Sequence, residues 1–245
     1  MNPQHTLKRD AIITLTRTAI ITSTVMVLSA VAYLVAQSFV AIVEEYPAAA
    51  YDYNGCNIAT VQISGELLPY DPTNKNEYSY RTISGDAIVK ALDADDADTN
   101  IKGVILRIDS YGGSPAAASE VEDALKHMSK PTVAYIREEA TSAAYIIASR
   151  ASTTIADKYA GAIGGFDVGS LENKSVTDPQ ALSRLFVEDV AQNRHITTPA
   201  AESLADTPMT ADQALKNGLV DQVGGMDAVV DWFTGKIGER AVVCR

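Results

Sequence analysis

From Asn57 onward the chain alternates short runs rich in β-branched and aromatic residues with longer amphipathic stretches. That alternation admits few arrangements other than an α/β fold around a largely parallel sheet. Residues 58–63 read as the first strand. Residues 103–108 are apolar apart from Arg107, which predicts a strand buried on both faces and so central in the sheet. Further strands are predicted over 132–136, behind Pro131, and over 153–156. Helices are predicted over 86–92, over 120–128 behind a Ser114 cap and Pro115, from Ser142 onward, over 179–193, and over 210–217 with Gly218 as a left-handed end. Residues 93–98 read as an acidic connector, 69–80 as an exposed loop, and Gly161, Gly164 and Gly165 as an irregular segment, with 219–223 and 227–233 finishing the fold.

Ahead of this domain, the twenty-six residues 18–43 carry no charged side chain. As a helix they span about 39 Å, against a hydrocarbon core of roughly 30 Å, so a tilted transmembrane helix fits. Thr22, Ser23, Thr24, Ser29, Gln37 and Ser38 dilute the run, but short hydroxyl side chains bond back to their own helix backbone in lipid. Lys8, Arg9 and Arg17 precede it and Glu44 and Glu45 follow, which by the positive-inside bias puts the N-terminus in the cytoplasm. The chain then divides into a cytoplasmic N-terminus (1–17), a single-pass anchor in the cell (inner) membrane (18–43), a linker (44–56) and an extracytoplasmic domain (57–245). A cleaved signal peptide, cut near Ala48-Ala49-Ala50, is the competing reading, although its apolar core is ordinarily only about 7 to 15 residues. A buried helix of a soluble protein fits the flanking charges less well.

With 47% apolar and 21% charged residues, disorder of the whole chain is excluded. The net charge of −11 excludes nucleic acid as a partner, since phosphate binding needs clustered Lys and Arg. The two cysteines, Cys56 and Cys244, bracket the exported domain. Chain ends of a domain often lie close together and an extracytoplasmic compartment permits disulfides, so a Cys56–Cys244 bridge is predicted, against the alternative of two unrelated thiols. Neither has the spacing of a metal site.

Ser142 stands thirty residues after Gly112 and thirty-two before Lys174. A serine hydroxyl needs a base, most often histidine. Here His5 falls on the cytoplasmic side of the predicted anchor, and His127 and His195 follow helix ends, where they read as solvated caps. No Gly-x-Ser-x-Gly elbow and no His-Glu-x-x-His occurs. Lysine becomes the economical base, provided burial or nearby cations lower its pKa. Each residue also has a plainer reading: Lys174 as an exposed loop lysine within the sequon Asn173-Lys174-Ser175, and Ser142 as a helix cap. Gly112 and Gly113 form an ordinary tight turn, or else expose backbone amides towards an oxyanion.

The order of these motifs resembles a known family. Gly103-Val-Ile-Leu-Arg-Ile-Asp-Ser110-Tyr-Gly-Gly-Ser114, then Ala118-Ser119-Glu120, Lys130-Pro131-Thr-Val-Ala134, Thr141-Ser142-Ala-Ala-Tyr145, Gly161-Ala-Ile-Gly164 and Ala214-Leu-Lys-Asn-Gly-Leu-Val-Asp221 are similar to the core of the Ser-Lys signal peptide peptidases, the SppA family. The resemblance covers nearly all of the exported domain. It implies the Clp protease/crotonase fold of repeated ββα units, a membrane-anchored homo-oligomer, Ser142 as nucleophile, Gly112 and Gly113 as the oxyanion site, and Lys174, in Lys174-Ser-Val-Thr-Asp-Pro179, as general base. Ala143 and Ala144 stand where the family has glycines, Tyr111 where it has proline, and the stretch between Gly164 and Lys174 is shorter than usual.

The expectation is a membrane-anchored serine endopeptidase that cuts peptides such as released signal peptides, with no metal or organic cofactor. A catalytically silent membrane scaffold and a crotonase-like acyl-CoA enzyme are the rivals, the second disfavoured by export because acyl-CoA is cytosolic.

Overall fold

The computed structural model describes residues 23–24, 26–31, 33, 55–70, 82–166 and 178–244. The chain forms two compact units, Met1–Ala50 and Tyr51–Arg245. In the first, the described residues are helical and exposed. The predicted span 18–43 lies largely outside the described residues, and among those described no helix is long and apolar enough to cross a membrane.

The second unit is built on a parallel sheet of order β2-β1-β3-β4-β5-β8, with β1 (Ile58–Leu68), β2 (Thr82–Ser84), β3 (Gly103–Gly113), β4 (Thr132–Thr141), β5 (Thr153–Ala156) and β8 (Gln222–Val223). β6 (Ala162–Gly164) joins the upper end of β4 in parallel, and β7 (Pro208–Met209) pairs antiparallel with β6. The helices are α1 (Gly85–Ala97), α2 (Pro115–His127), α3 (Ala143–Arg150), α4 (Pro179–Asn193), α5 (Thr198–Leu204), α6 (Ala211–Lys216) and α7 (Met226–Ile237). The α/β class and parallel sheet expected from the alternation are present. ββα units occur as β1-β2-α1 and β5-β6-α4, with single βα units between them.

Side chains alternate across the strands as the pleat requires. Val61 and Ile63 of β1, Val104, Leu106 and Ile108 of β3, and Ala134 and Ile136 of β4 face the main core with α1 to α4. Ile58, Ile105, Val133, Tyr135 and Ile155 face a smaller core closed by Val229 and Phe233 of α7. Ser84, Ser114 and Asp178 each accept a hydrogen bond from the backbone N–H three residues on, which starts α1, α2 and α4 where the capping pattern places them.

β1 and β4 run past the expected 58–63 and 132–136, to Leu68 and Thr141, and three further points differ from the sequence reading. β3 runs on to Gly113, because Glu66 and Leu67 pair with Gly112 and Gly113, so the glycines end a strand rather than forming a free turn. α1 continues through the acidic stretch to Ala97. Lys130 makes this tolerable by donating from Nζ to the carbonyls of Asp95 and Asp98 at the helix end, each at 2.5 Å. The third is α5, which the sequence reading left out altogether.

The two ends of the unit meet. Asn57 N–H donates to Val242 O at 2.9 Å, Cys244 N–H donates to Ile58 O at 2.8 Å, and Cys56 is bonded to Cys244 across 188 positions with a Cα separation of 5.0 Å. The bridge forms where the first strand begins and the chain ends.

Candidate active site

Because the long strands run parallel, their C-terminal ends gather at one edge, where ligand sites of open α/β sheets form. Ser142 lies there, between β4 and α3. Its backbone is at φ 51°, ψ −129°, a region that costs a non-glycine residue of order 1–3 kcal/mol. A capping serine sits in extended backbone and accepts from the first turn; Ser142 makes no side-chain cap bond. The cap reading therefore fails, and the hydroxyl is left for something else.

The strained backbone is held from both sides. Ser142 N–H donates to Gly164 O at 3.1 Å, and its carbonyl accepts from Tyr145 and Ile146 N–H at 3.0 and 3.2 Å. Beneath it α3 is buried along almost its whole length. Tyr145 stacks on Phe166 with centroids 5.7 Å apart and donates its hydroxyl to Leu219 O at 2.7 Å. Burial pushes the Tyr145 phenol well above its usual pKa, so it remains a neutral donor.

Gly112 packs directly against this corner. A Cβ built on it would lie 2.8 Å from Thr141 O, 2.9 Å from Ala143 N and 3.0 Å from Ser142 Cβ, and its φ is +98°. Only glycine permits this approach. Gly112 N–H donates to Ser110 Oγ at 3.1 Å, so of the two glycine amides expected at an oxyanion, this one is already engaged. Ala143 is the first residue of α3, and its N–H has no acceptor within the helix. The sequence reading passed over it, although the amide following a nucleophile at a helix start is a signal in its own right.

Around the site the sheet edge is acidic. Burial, then Asp109 and Glu138, hold the Glu139 carboxyl above the ordinary range. His127 and His195 belong to the other end of the sheet: His127 closes α2 with Nδ1 2.7 Å from Asp123 O, and His195 follows α4. Arg194, also at that end, pairs with Asp221 at 2.7 Å, and Asp221 further accepts from Thr154 N–H at 2.7 Å. Burial raises the Asp221 carboxyl, but the Arg194 and Thr154 hydrogen bonds outweigh it and hold it below its usual pKa. The structure packs Gly112 against Ser142, with Gly113 next in the chain against Leu67. Lys174 lies outside the described residues, so the structure is silent on the base. Among the described residues, no cluster of His, Cys, Asp or Glu is arranged to hold a metal.

The sheet and its helices define an α/β protein with a largely parallel sheet and a serine at the C-terminal edge. The fold is similar to a membrane-bound stomatin-specific protease, 1510-N (TM-score 0.55, 18% identity, 72% of this chain and 84% of that one), and to ClpP1 of Listeria monocytogenes (TM-score 0.53, 16% identity, 69% and 94%). Residues 180–237 match the sequence profile of peptidase family S49. The chain is 27% identical to Protease 4 of Haemophilus influenzae over 229 residues, 77% of this chain and 36% of that protein, so it spans about a third of that relative's length. It is 25% identical over 213 residues to a candidate protease of Methanocaldococcus jannaschii, covering 70% of this chain and 68% of that protein. These matches agree with the resemblance read from the motifs: the chain is similar to peptidase family S49 over residues 180–237 and to curated proteases along most of its length.

Proposed function

We propose that the protein is a serine endopeptidase, anchored through residues 18–43 in the cell membrane, with its α/β domain outside and working as a homo-oligomer on peptides such as released signal peptides. The observation that carries the reading is Ser142: a strained, uncapped serine at the C-terminal edge of a parallel sheet, packed against a glycine and the open end of a helix.

In this mechanism Ser142 Oγ attacks the scissile carbonyl while a neutral Lys174 amine takes its proton and later returns it to the leaving amine. The negative charge that develops on the carbonyl oxygen is met by the N–H groups of Gly113 and Ala143, since Ser110 already occupies Gly112 N–H. The test is peptide cleavage by the wild type, Ser142→Ala and Lys174→Ala, with oligomeric state followed in each. Loss in both variants at unchanged assembly is expected. Turnover retained by Ser142→Ala removes the reading, and turnover retained by Lys174→Ala removes the base alone.

A further inference from the structure

The close approach that requires glycine at position 112 carries a conformational penalty. A glycine peptide opposes rotation less than any other, because both signs of φ are open to it. A pair of glycines beside the nucleophile is therefore the stretch where the oxyanion-facing backbone is least held by sterics. Two hydroxyls supply the missing restraint.

Both ladders of β3 shift register just here, between Ser64 and Glu66 on the β1 side and between Ile108 and Ser110 on the β4 side. A register shift drops backbone groups out of the ladder, and those that are buried must find other partners. Ser110, fully buried, serves two of them: its hydroxyl donates to Gly65 O at 2.5 Å and accepts from Gly112 N–H at 3.1 Å. From the other side, Thr141 Oγ donates to Tyr111 O at 3.2 Å. Tyr111 C=O and Gly112 N–H are the two ends of one planar amide. Each end is thus gripped by a different hydroxyl, one reaching towards β1 and the other from β4, one residue before Ser142.

We propose that Ser110 and Thr141 are positioning residues that lock the Tyr111–Gly112 peptide, fixing the Gly113 amide against the nucleophile; this rests on the peptidase reading above. They act through the backbone and touch no substrate. A loosened peptide loses transition-state stabilisation while leaving substrate binding nearly intact.

The test compares Thr141→Val, which keeps the shape and removes the hydroxyl, with Thr141→Ser, which keeps the hydroxyl, and with Ser110→Ala. All are made in the full chain, assayed on one peptide substrate, and titrated with a peptide boronic acid as a tetrahedral-adduct probe. Thr141→Val and Ser110→Ala are expected to lower kcat by about 10- to 100-fold with KM within about twofold, and boronate affinity is expected to fall in step with kcat. Thr141→Ser recovers most of what Thr141→Val loses. If Ser110→Ala does not fold, the Thr141 pair decides alone. Wild-type kcat in Thr141→Val, equal losses in Val and Ser, or a loss carried by KM overturns the proposal. An inert wild type, or undiminished turnover in Ser142→Ala, overturns the peptidase reading and the proposal with it.

Discussion

Gly112→Ala puts a methyl group where Ser142, the proposed nucleophile, and the start of α3 converge. The alanine suffers two separable effects. At φ +98° it bears a backbone penalty of about 1–2 kcal/mol. Its Cβ also meets Thr141 O at 2.8 Å and Ala143 N at 2.9 Å, backbone atoms that have no rotamer to escape into, so the strand end and the Ser142 corner must move apart. A displacement approaching 1 Å at the reacting groups costs about 100-fold in rate, or about 2.7 kcal/mol of transition-state stabilisation. Gly238→Ala is the control. It sits at φ +74° after α7 with nothing within 4 Å of a built Cβ, so it meets the dihedral penalty without the contact. Both variants should unfold a few degrees earlier, about 2–4 °C per kcal/mol for a unit of this size. Only Gly112→Ala should lose kcat/KM and react slowly with a fluorophosphonate. Wild-type turnover in Gly112→Ala, or equal losses in the two variants, would refute the reasoning that this glycine serves close approach.

Burial pushes the Asp95 carboxyl up to about 6, against the pull of Lys130 and with help from Asp98, and its Oδ2 is buried without a partner. Its contribution to stability is complete below its unfolded value near 3.8 and is lost as pH rises through about 6. Asp95→Asn should therefore stabilise by on the order of 2 kcal/mol at neutral pH and show no gain near pH 4 in urea unfolding; an equal gain at both would contradict the account. Arg194→Met removes the partner of Asp221 and should destabilise by about 2 kcal/mol, less than a fully buried pair would lose because Asp221 is 44% exposed. Since the Asp221 carboxyl is held below its usual pKa, that loss is full at neutral pH and shrinks in acid as the carboxylate protonates; thermal unfolding across pH reads it. Cys56→Ser/Cys244→Ser opens a 188-position loop and should lower stability by at most about 5 kcal/mol, measured against the oxidised wild type.

Much of this architecture was legible before any coordinates. Residues 103–108 read as a central strand because an apolar run with one arginine leaves no polar face, and the Ser114-Pro115 pair announces α2. The boundaries that escaped are those set by partners distant in sequence. β3 extends through Gly113 because β1 pairs with it across a register shift, and no local propensity favours glycines in a strand. The acidic end of α1 looked like a connector because the Lys130 amine that covers its carbonyls lies more than thirty positions on. α5 carried a local signal that the reading missed, Thr197 capping a turn with Pro199 in it. At the site, motif order singled out Ser142 and the glycine pair as candidates. The strain at Ser142 and the Ser110 and Thr141 hydrogen bonds were not legible there, because each depends on where β4 and β1 lie beside β3.

The central claim is that Ser142 is an activated nucleophile. Intact-mass analysis and peptide mapping after reaction with an alkyl fluorophosphonate test it most directly. The account predicts a single adduct on Ser142 in the wild type, none in Ser142→Ala, and slowed formation in Lys174→Ala. No adduct on the assembled wild type, or an undiminished one in Ser142→Ala, would contradict it.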